Sequence, residues 1–325
     1  MCGFVLSSIT KVIMDFLILI GALAMIIVAA SLLTDGAVAL AERLHIPEFI
    51  VGLTVVAVGT SMPELVVSML AAIGGHGDMA IGNVVGSNIF NVFAILGVCA
   101  IFSPIVFTKK NIRRDIPMCI AATLALMVFT LFGGDISRIE GIILLVAYVV
   151  MIWWTIRADK AEMVTEGDAQ PKAEKPRMAT WKIPVWILLG LAGLIYGGNL
   201  FVSSATAIAK AFGISEAVIA ITLLAGGTSL PELASSLVSI FKGSPSLALG
   251  NVLGSSIANI LLILGACSTI TPLTMGGVTM FDIYVAVAAA AVIMLSALVI
   301  GRDKITRIEG LLFVICYVAY IYVLL

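Results

Sequence analysis

Two copies of one polar motif lie inside long hydrophobic stretches of the chain. The first copy reads Gly-Thr-Ser-Met-Pro-Glu and spans 59–64, and the second reads Gly-Thr-Ser-Leu-Pro-Glu and spans 227–232. A carboxylate in hydrocarbon costs about 2.5–3.5 kcal/mol even on the lenient insertion scale. Because the chain carries this cost twice, at matching places, the motif predicts that Glu64 and Glu232 face a cation inside the folded protein.

The duplication extends beyond this motif. A second motif, Gly-Asn-Val-x-Gly-Ser, follows at 82–87 and again at 250–255, and the offset between copies is 168 residues in both motifs. Between the 46-residue segments that begin at positions 52 and 220, 21 positions are identical. Arg-Ile-Glu-Gly at 138–141 also recurs at 307–310, so the sequence indicates two related halves.

The composition is that of a protein embedded in a lipid bilayer. Of 325 residues, 61% are hydrophobic and 11% are charged, whereas a soluble domain has about 25% charged residues. A helix needs about 20 apolar residues to cross the hydrocarbon core, and stretches of that length recur along the whole chain. We predict ten transmembrane helices, at about 12–33, 46–72, 79–102, 115–132, 139–157, 182–209, 214–241, 246–270, 281–300 and 307–325.

The predicted fold class is an all-α polytopic membrane protein with ten transmembrane helices in two inverted five-helix repeats. The first repeat covers 1–160 and the second covers 182–325. Because each repeat has an odd number of crossings, the second copy must enter the membrane from the opposite side, as in many secondary transporters. Residues 161–181 mix acidic and basic side chains with two prolines, which indicates a hydrophilic cytoplasmic linker.

The basic residues orient the predicted helices. With an external N-terminus, 15 of the 18 lysine and arginine residues fall on the cytoplasmic side, an asymmetry that sets the orientation of membrane proteins. We therefore predict that both termini lie outside, in the cytoplasmic (inner) membrane of a prokaryote. A net charge of −1 argues against a nucleic-acid partner, and the lipid bilayer is expected as partner without an obligate protein partner.

Pro63 and Pro231 each lie inside a predicted helix. Proline has no N–H to donate and its ring clashes with the carbonyl group four residues earlier, so we expect each helix to break there. The carbonyl groups that are released, near Ala57 to Thr60 and near Ala225 to Thr228, need polar partners at this depth in the membrane. We expect both breaks to line a cavity inside the protein.

Side chains with oxygen atoms surround both breaks. Thr60 and Ser61 precede Glu64 by one helical turn, so their hydroxyl groups and the carboxylate can share one face. The later motifs place a serine and an asparagine one turn apart, Ser87 with Asn91 and Ser255 with Asn259. Such oxygen ligands suit hard cations such as Ca²⁺ or Na⁺, and two carboxylates give a site charge near −2. No cofactor is predicted, and both histidines, His45 and His76, fall in predicted loops.

Both motifs resemble the α-repeats of the cation/calcium exchanger superfamily, and the chain resembles the compact bacterial and archaeal sodium/calcium exchangers over nearly its whole length. The resemblance implies a secondary active antiporter that exchanges Ca²⁺ for Na⁺ by alternating access, with the first and sixth helices sliding across the core. It also implies an ion site between the second, third, seventh and eighth helices. The candidate ligands are the side chains of Glu64, Glu232, Thr60, Ser61, Thr228, Ser229, Ser87, Ser255, Asn91 and Asn259, and the carbonyl groups of Ala57 and Ala225.

One position departs from the superfamily pattern. Members often carry aspartate where this chain has Asn259, so both repeats end in asparagine at this position, Asn91 and Asn259. The substitution removes a potential charge from the site. It leaves open how many Na⁺ ions exchange for one Ca²⁺.

Other functions stay open from the sequence alone. Buried carboxyl groups can also carry protons, which makes the antiport of Ca²⁺ against H⁺, or of another cation, the nearest alternative. A passive cation channel would need no counter-ion gradient, and a kinked helix with interhelical hydrogen bonds is the structural alternative. Gly-His-Gly-Asp at 75–78 resembles the motif of membrane aspartyl proteases, but Asp78 falls in a predicted loop and no second intramembrane aspartate pairs with it.

Overall fold

The computed structural model describes residues 2–165, 178–212 and 225–324, and nearly all of them are helical. Its helices are α1 (Cys2–Leu44), α2 (Glu48–Thr60), α3 (Met62–Ile73), α4 (Gly77–Phe102), α5 (Asn111–Leu131), α6 (Arg138–Thr165), α7 (Lys182–Ala211), α8 (Leu230–Phe241), α9 (Pro245–Ile270), α10 (Met280–Ile300) and α11 (Arg307–Leu324). A short helical turn, Ala225–Gly227, precedes α8. Four two-residue strands lie between helices: β1 (Ile105–Val106), β2 (Asp135–Ile136), β3 (Leu273–Thr274) and β4 (Lys304–Ile305).

Within the described ranges, eight helices are long and apolar enough to cross a membrane: α1, α4, α5, α6, α7, α9, α10 and α11. Helices α2 and α3 pass the same test together as a span bent by 45°. Helix α8 has 12 residues, and the residues before its leading turn, 213–224, lie outside the described ranges. The total of ten transmembrane helices therefore stays a prediction. Residues 166–177 of the predicted linker also lie outside the described ranges.

Two helices are longer than predicted. Helix α1 does not end at residue 33 but continues to Leu44, because the added segment is rich in alanine and leucine and packs on α8. The hydroxyl oxygens of Thr34 and Ser239 lie 3.1 Å apart at this contact. Helix α6 runs past its predicted end at 157 to Thr165, since residues 158–165 contain neither glycine nor proline. The start of the predicted linker is therefore helical.

The remaining helices start and end close to their predicted positions where the structure describes them, and the predicted start of the seventh helix, at residue 214, lies outside the described ranges. Asp78 was placed in a loop by the sequence, but it lies in the first turn of α4. The acidic side chain is favoured there because the N–H groups of a helix start carry partial positive charge.

Strand pairing and glycine contacts join the two halves reciprocally. Strand β1 pairs with β4 and β2 pairs with β3, so the segment after α4 meets the segment before α11, and the segment after α9 meets the segment before α6. Contacts between helices show the same reciprocal pattern between the two halves. Gly97 of α4 lies against Gly310 of α11, and Gly265 of α9 lies against Gly141 of α6. The two halves therefore contact each other through equivalent positions.

The recurring Arg-Ile-Glu-Gly motif supports this packing. Glu140 accepts hydrogen bonds of 2.7 Å from both the backbone N–H and the hydroxyl of Ser137, and so caps the start of α6. Glu309 caps α11 through Thr306 in the same way. The glutamate satisfies free N–H groups at the helix start, and the glycine after it allows the close helix contact, which explains why the motif occurs twice.

The buried apolar residues form two clusters. The larger cluster draws on α2 to α6 and α8 to α11, whereas the smaller one is built mainly from α1 and α7. Glycines bring α1 and α7 together: a Cβ atom at Gly190 would lie 2.7 Å from the backbone nitrogen of Leu33, and one at Gly193 would lie 2.7 Å from the Cβ of Ala29. Helices α1 and α7 therefore pack primarily on each other and form a separate layer beside the larger cluster.

Candidate cation-binding site

Both predicted helix breaks are present. Helix α2 ends at Thr60 and α3 begins at Met62, so the chain is broken at Ser61, with Pro63 in the first turn of α3. Ser229 stands at the equivalent place before α8, whose first turn contains Pro231. Proline is tolerated in a first turn because its missing N–H would have no partner there. Each break leaves a serine at the gap and a glutamate in the first turn of the next helix.

The two glutamates are each held by the other repeat. Ser61 donates a hydrogen bond of 2.9 Å to Oε1 of Glu232, and Ser229 donates one of 2.9 Å to Oε1 of Glu64. Each glutamate is 1% exposed. Two carboxyl groups therefore lie in the protein interior at the contact between the repeats, and a neutral hydroxyl group fixes one oxygen of each.

The second oxygen of each carboxyl group, Oε2, is buried without a hydrogen-bond partner among the described residues. A buried ionised group is costly unless it is paired, so an arrangement of this kind is stabilised by a cation. No cluster of three or more His, Cys, Asp or Glu side chains occurs in the described part of the chain. Further ligands would therefore come from hydroxyl, amide and carbonyl oxygens, the donors that hard cations prefer.

The predicted hydroxyl groups lie around this pair. Ser87 Oγ is 3.2 Å from Ser229 Oγ, and Ser255 donates a 3.4 Å hydrogen bond to the carbonyl of Ala57. Thr60 donates to the same carbonyl, also at 3.4 Å. The counterpart of Ala57, Ala225, begins the helical turn before α8. The fold therefore gathers side chains from α2, α3, α4, α8 and α9 at one place.

Two asparagines at the site were not among the predicted ligands. Asn251 accepts a 3.2 Å hydrogen bond from Thr60 and donates one of 3.4 Å to the backbone carbonyl of Glu232. Asn83 makes the equivalent contacts with Thr228 and the carbonyl of Glu64, at 3.5 Å and 3.4 Å. Their positions in the repeated Gly-Asn-Val motif, 168 residues apart, were the signal that could have identified them.

Asn91 and Asn259 are also buried, each 1% exposed, but they are not hydrogen bonded to either glutamate in the described structure. Asn259 donates a 3.0 Å hydrogen bond to Oδ1 of Asn88. The Oδ1 atom of Asn259 and both amide atoms of Asn91 have no partner among the described residues. Their role as ion ligands stays a prediction.

Glycines press the broken helix against α9. A Cβ atom at Gly250 would overlap the carbonyl of Phe49, and one at Gly254 would overlap the carbonyl of Leu53. This close approach brings Ala57 within reach of Ser255.

A cavity of about 200 Å³ lies beside the site. One wall is formed by α7, and the other includes residues of both breaks: Pro63, Val67, Gly227, Thr228 and Pro231. Because Thr228 is a candidate ligand, the cavity connects the neighbourhood of the site to the face of α7.

A model of the sodium/calcium exchanger protein family matches the chain twice, at residues 14–157 and 182–325. The chain belongs to the sodium/calcium exchanger family. Among the relatives of this chain, CaxA of Alkalimonas amylolytica is 38% identical over 314 residues, which are 94% of this chain and 97% of that protein. The sodium/calcium exchanger MaX1 of Methanosarcina acetivorans is 31% identical, over 95% of this chain and 98% of its own length.

The fold is also that of a solved member of the family. The structure of the sodium-calcium exchanger NCX_Mj, soaked with Na⁺ and Ca²⁺, superposes with a TM-score of 0.81 at 30% identity. The match covers 95% of this chain and 98% of that one. Sodium/calcium exchangers are membrane transporters rather than enzymes, so the protease alternative raised by Asp78 is wrong. Both histidines, His45 and His76, are exposed and lie between helices.

Proposed function

We propose that this chain is a secondary active antiporter that exchanges Ca²⁺ for Na⁺ by alternating access. One observation carries the proposal: Glu64 and Glu232 are buried, each is bound by a serine of the other repeat, and each keeps one oxygen without a partner among the described residues. A pair of carboxylates neutralises one Ca²⁺ or two Na⁺. Exchange follows because Ca²⁺ and Na⁺ compete for the same pair of carboxylates.

The proposed ion ligands extend from the glutamates to the neighbouring oxygen atoms. Hydroxyl, amide and carbonyl groups can replace the hydration shell of Ca²⁺, which takes six to eight oxygen ligands, or part of the shell of Na⁺. The proposed set is Glu64, Glu232, Thr60, Ser61, Thr228, Ser229, Ser87, Ser255, Asn91 and Asn259, with the carbonyl groups of Ala57 and Ala225.

The proposed architecture is two inverted five-helix repeats, 1–160 and 182–325, joined by a cytoplasmic linker at 161–181. Both termini lie outside, in the cytoplasmic membrane of a prokaryote. The strand pairs support this topology, because β1 and β4 join two loops that the basic residues assign to the cytoplasmic side, and β2 and β3 join two assigned to the external side. The reciprocal hydrogen bonds of the two glutamates support the same relationship between the repeats.

We assign the moving part to α1 and α7. These helices share the smaller apolar cluster and contact each other through glycines, so they can shift together without opening the larger cluster. The cavity between α7 and the two breaks is the proposed ion path on one side of the membrane. Movement of the two helices across the breaks would close it and open a path on the other side.

The test is uptake of ⁴⁵Ca²⁺ into vesicles that contain the purified protein. An outward Na⁺ gradient should drive uptake, and an equal gradient of K⁺ should not. Uptake driven by a pH gradient in the absence of Na⁺ would replace the proposal with Ca²⁺/H⁺ antiport. Uptake that follows the Ca²⁺ gradient alone, with neither counter-ion, would indicate a channel and contradict exchange.

A further inference from the structure

A chain of buried amide groups links α4 to α9 next to the candidate site. Asn88 Nδ2 donates a 3.0 Å hydrogen bond to the backbone carbonyl of Ser256, and Asn259 Nδ2 donates one of 3.0 Å to Asn88 Oδ1. The exposed fractions are 5% for Asn88, 2% for Ser256 and 1% for Asn259. All three residues are therefore buried in the protein.

The backbone carbonyl at one end fixes the orientation of both side-chain amides. A carbonyl oxygen only accepts hydrogen bonds, so the NH₂ group of Asn88 must face Ser256 and its Oδ1 must face Asn259. Oδ1 of Asn88 in turn requires a donor, so Asn259 must present its NH₂ group. Reversing either amide would place two acceptors in contact, which leaves one arrangement for the pair.

This arrangement turns the carbonyl end of Asn259 away from Asn88. That oxygen, Oδ1, is buried without a partner among the described residues. Asn259 also lies one helical turn after Ser255, a candidate ligand whose hydroxyl donates to the carbonyl of Ala57. A neutral acceptor is therefore held near the helix face that carries the proposed ligands.

Among the described residues, the link has no counterpart in which the two repeats exchange roles. At the position equivalent to Asn88 the second repeat has Ser256, whose hydroxyl has no partner among the described residues. Asn91, the equivalent of Asn259, has no hydrogen bond at either amide atom within the described residues. Asn88 therefore accounts for the difference between the two asparagines, because it is hydrogen bonded to Asn259 and not to Asn91.

We propose that Asn88 is a positioning residue that orients Asn259 and makes position 259 incompatible with an ionised carboxylate. An aspartate there would place an anionic oxygen against Asn88 Oδ1, and Asn88 cannot turn without losing its bond to Ser256. Insofar as Asn259 contacts ions, the inference rests on the proposed function. Asn88 thereby keeps the charge of the ion site at that of two glutamates and so limits the number of Na⁺ ions exchanged.

A double-mutant cycle tests the inference. The variants are Asn259→Asp, Asn88→Ser and both together, with serine chosen because the other repeat has serine at this position. Asn259→Asp alone should lower the apparent melting temperature of the purified protein by a few degrees, and Asn88→Ser should recover most of that loss. In vesicles, the double variant should exchange Ca²⁺ with a steeper dependence on Na⁺ concentration than the wild type, a change that a merely structural role would not produce.

Asn91→Asp, with and without Asn88→Ser, is the matched control, and here the two changes should be close to additive because no hydrogen bond joins Asn88 to Asn91 among the described residues. Equal coupling at both positions, or none at 259, would overturn the inference. If neither aspartate variant at 259 is monodisperse, Asn259→Leu decides: it also leaves Asn88 Oδ1 without a donor, so Asn88→Ser should again restore stability. If the effects on stability are coupled but the wild type shows no Na⁺-driven uptake, the proposed function is rejected and the amide link is retained.

Discussion

The serine at each helix break donates a hydrogen bond to a carboxyl group of the opposite repeat. Ser61 and Ser229 thus orient Glu232 and Glu64, and the second oxygen of each carboxyl group, which has no partner among the described residues, is the proposed cation ligand. These two hydrogen bonds also join the two repeats at the site. A movement that separates the breaks would therefore change the geometry of both glutamates together.

Loss of a neutral ligand should weaken Ca²⁺ binding without abolishing exchange. Ser87→Ala and Ser255→Ala each remove one hydroxyl group, and a neutral hydrogen-bonding group contributes about 0.5–1.5 kcal/mol, so the Ca²⁺ concentration for half-maximal uptake should rise by roughly two- to tenfold. Ser268→Ala is the matched control, since Ser268 is a buried serine of α9 that bonds the backbone carbonyl of Leu264. Uptake that is unchanged in both site variants would remove these serines from the ligand set.

The sequence identified most of the residues that the fold brings together at the candidate site, but not how they pair. Duplication and the cost of a buried carboxylate identified Glu64 and Glu232, and their spacing identified the hydroxyl groups around them. The partner of each carboxylate comes from the opposite repeat, and no local periodicity reveals such a contact. Asn83 and Asn251 were missed for the same reason, because their contacts with the two breaks arise only when the helices pack.

At the scale of elements, glycine sets the distance between the broken helix and α9. The carbonyl of Phe49 occupies the space that a side chain at Gly250 would need. The proline rule predicted the breaks, and binary hydropathy predicted the existence of the helices. The predicted ends of α1 and α6 were wrong because the hydrophobic pattern stops before the helix ends. Packing or good helix-forming residues stabilise the last turns.

Gly250→Ala should destabilise the protein. The added Cβ must displace the backbone of α2, and overpacking of a well-packed contact costs about 1–3 kcal/mol, so the apparent melting temperature and the monodisperse fraction should both fall. Gly21→Ala is the control, because no atom lies within 4 Å of a Cβ at that exposed position of α1. A Gly250→Ala protein that melts with the wild type would show that the close contact is not required.

At the scale of the whole molecule, the proposed exchange mechanism depends on two halves that cross the membrane in opposite directions. The strand pairs connect loops of the same predicted side, and the glycine contacts Gly97–Gly310 and Gly141–Gly265 exchange partners between the halves. The sequence predicted the duplication directly. It could not supply the exchanged contacts, which arise only when distant segments pack together.

Cysteine labelling tests the orientation. In a background from which the five native cysteines have been removed, Gly167→Cys in the linker should react with an impermeant reagent only after the membrane is opened. Gly277→Cys, in the segment between α9 and α10, should react from outside, and a Cβ there meets no atom within 4 Å. The reverse pattern, or labelling of both from one side, would reject the predicted topology.

The most direct test of the central claim is Na⁺-driven ⁴⁵Ca²⁺ uptake by Glu64→Gln and Glu232→Gln proteins. Either change keeps the shape of the side chain but removes half of the site charge, so a divalent ion would be left uncompensated in a low-dielectric interior. We predict that uptake falls to the level of empty vesicles in both variants. Glu140→Gln should retain uptake, because glutamine can replace glutamate in a helix cap. Wild-type exchange by a monodisperse Glu64→Gln protein would contradict the account.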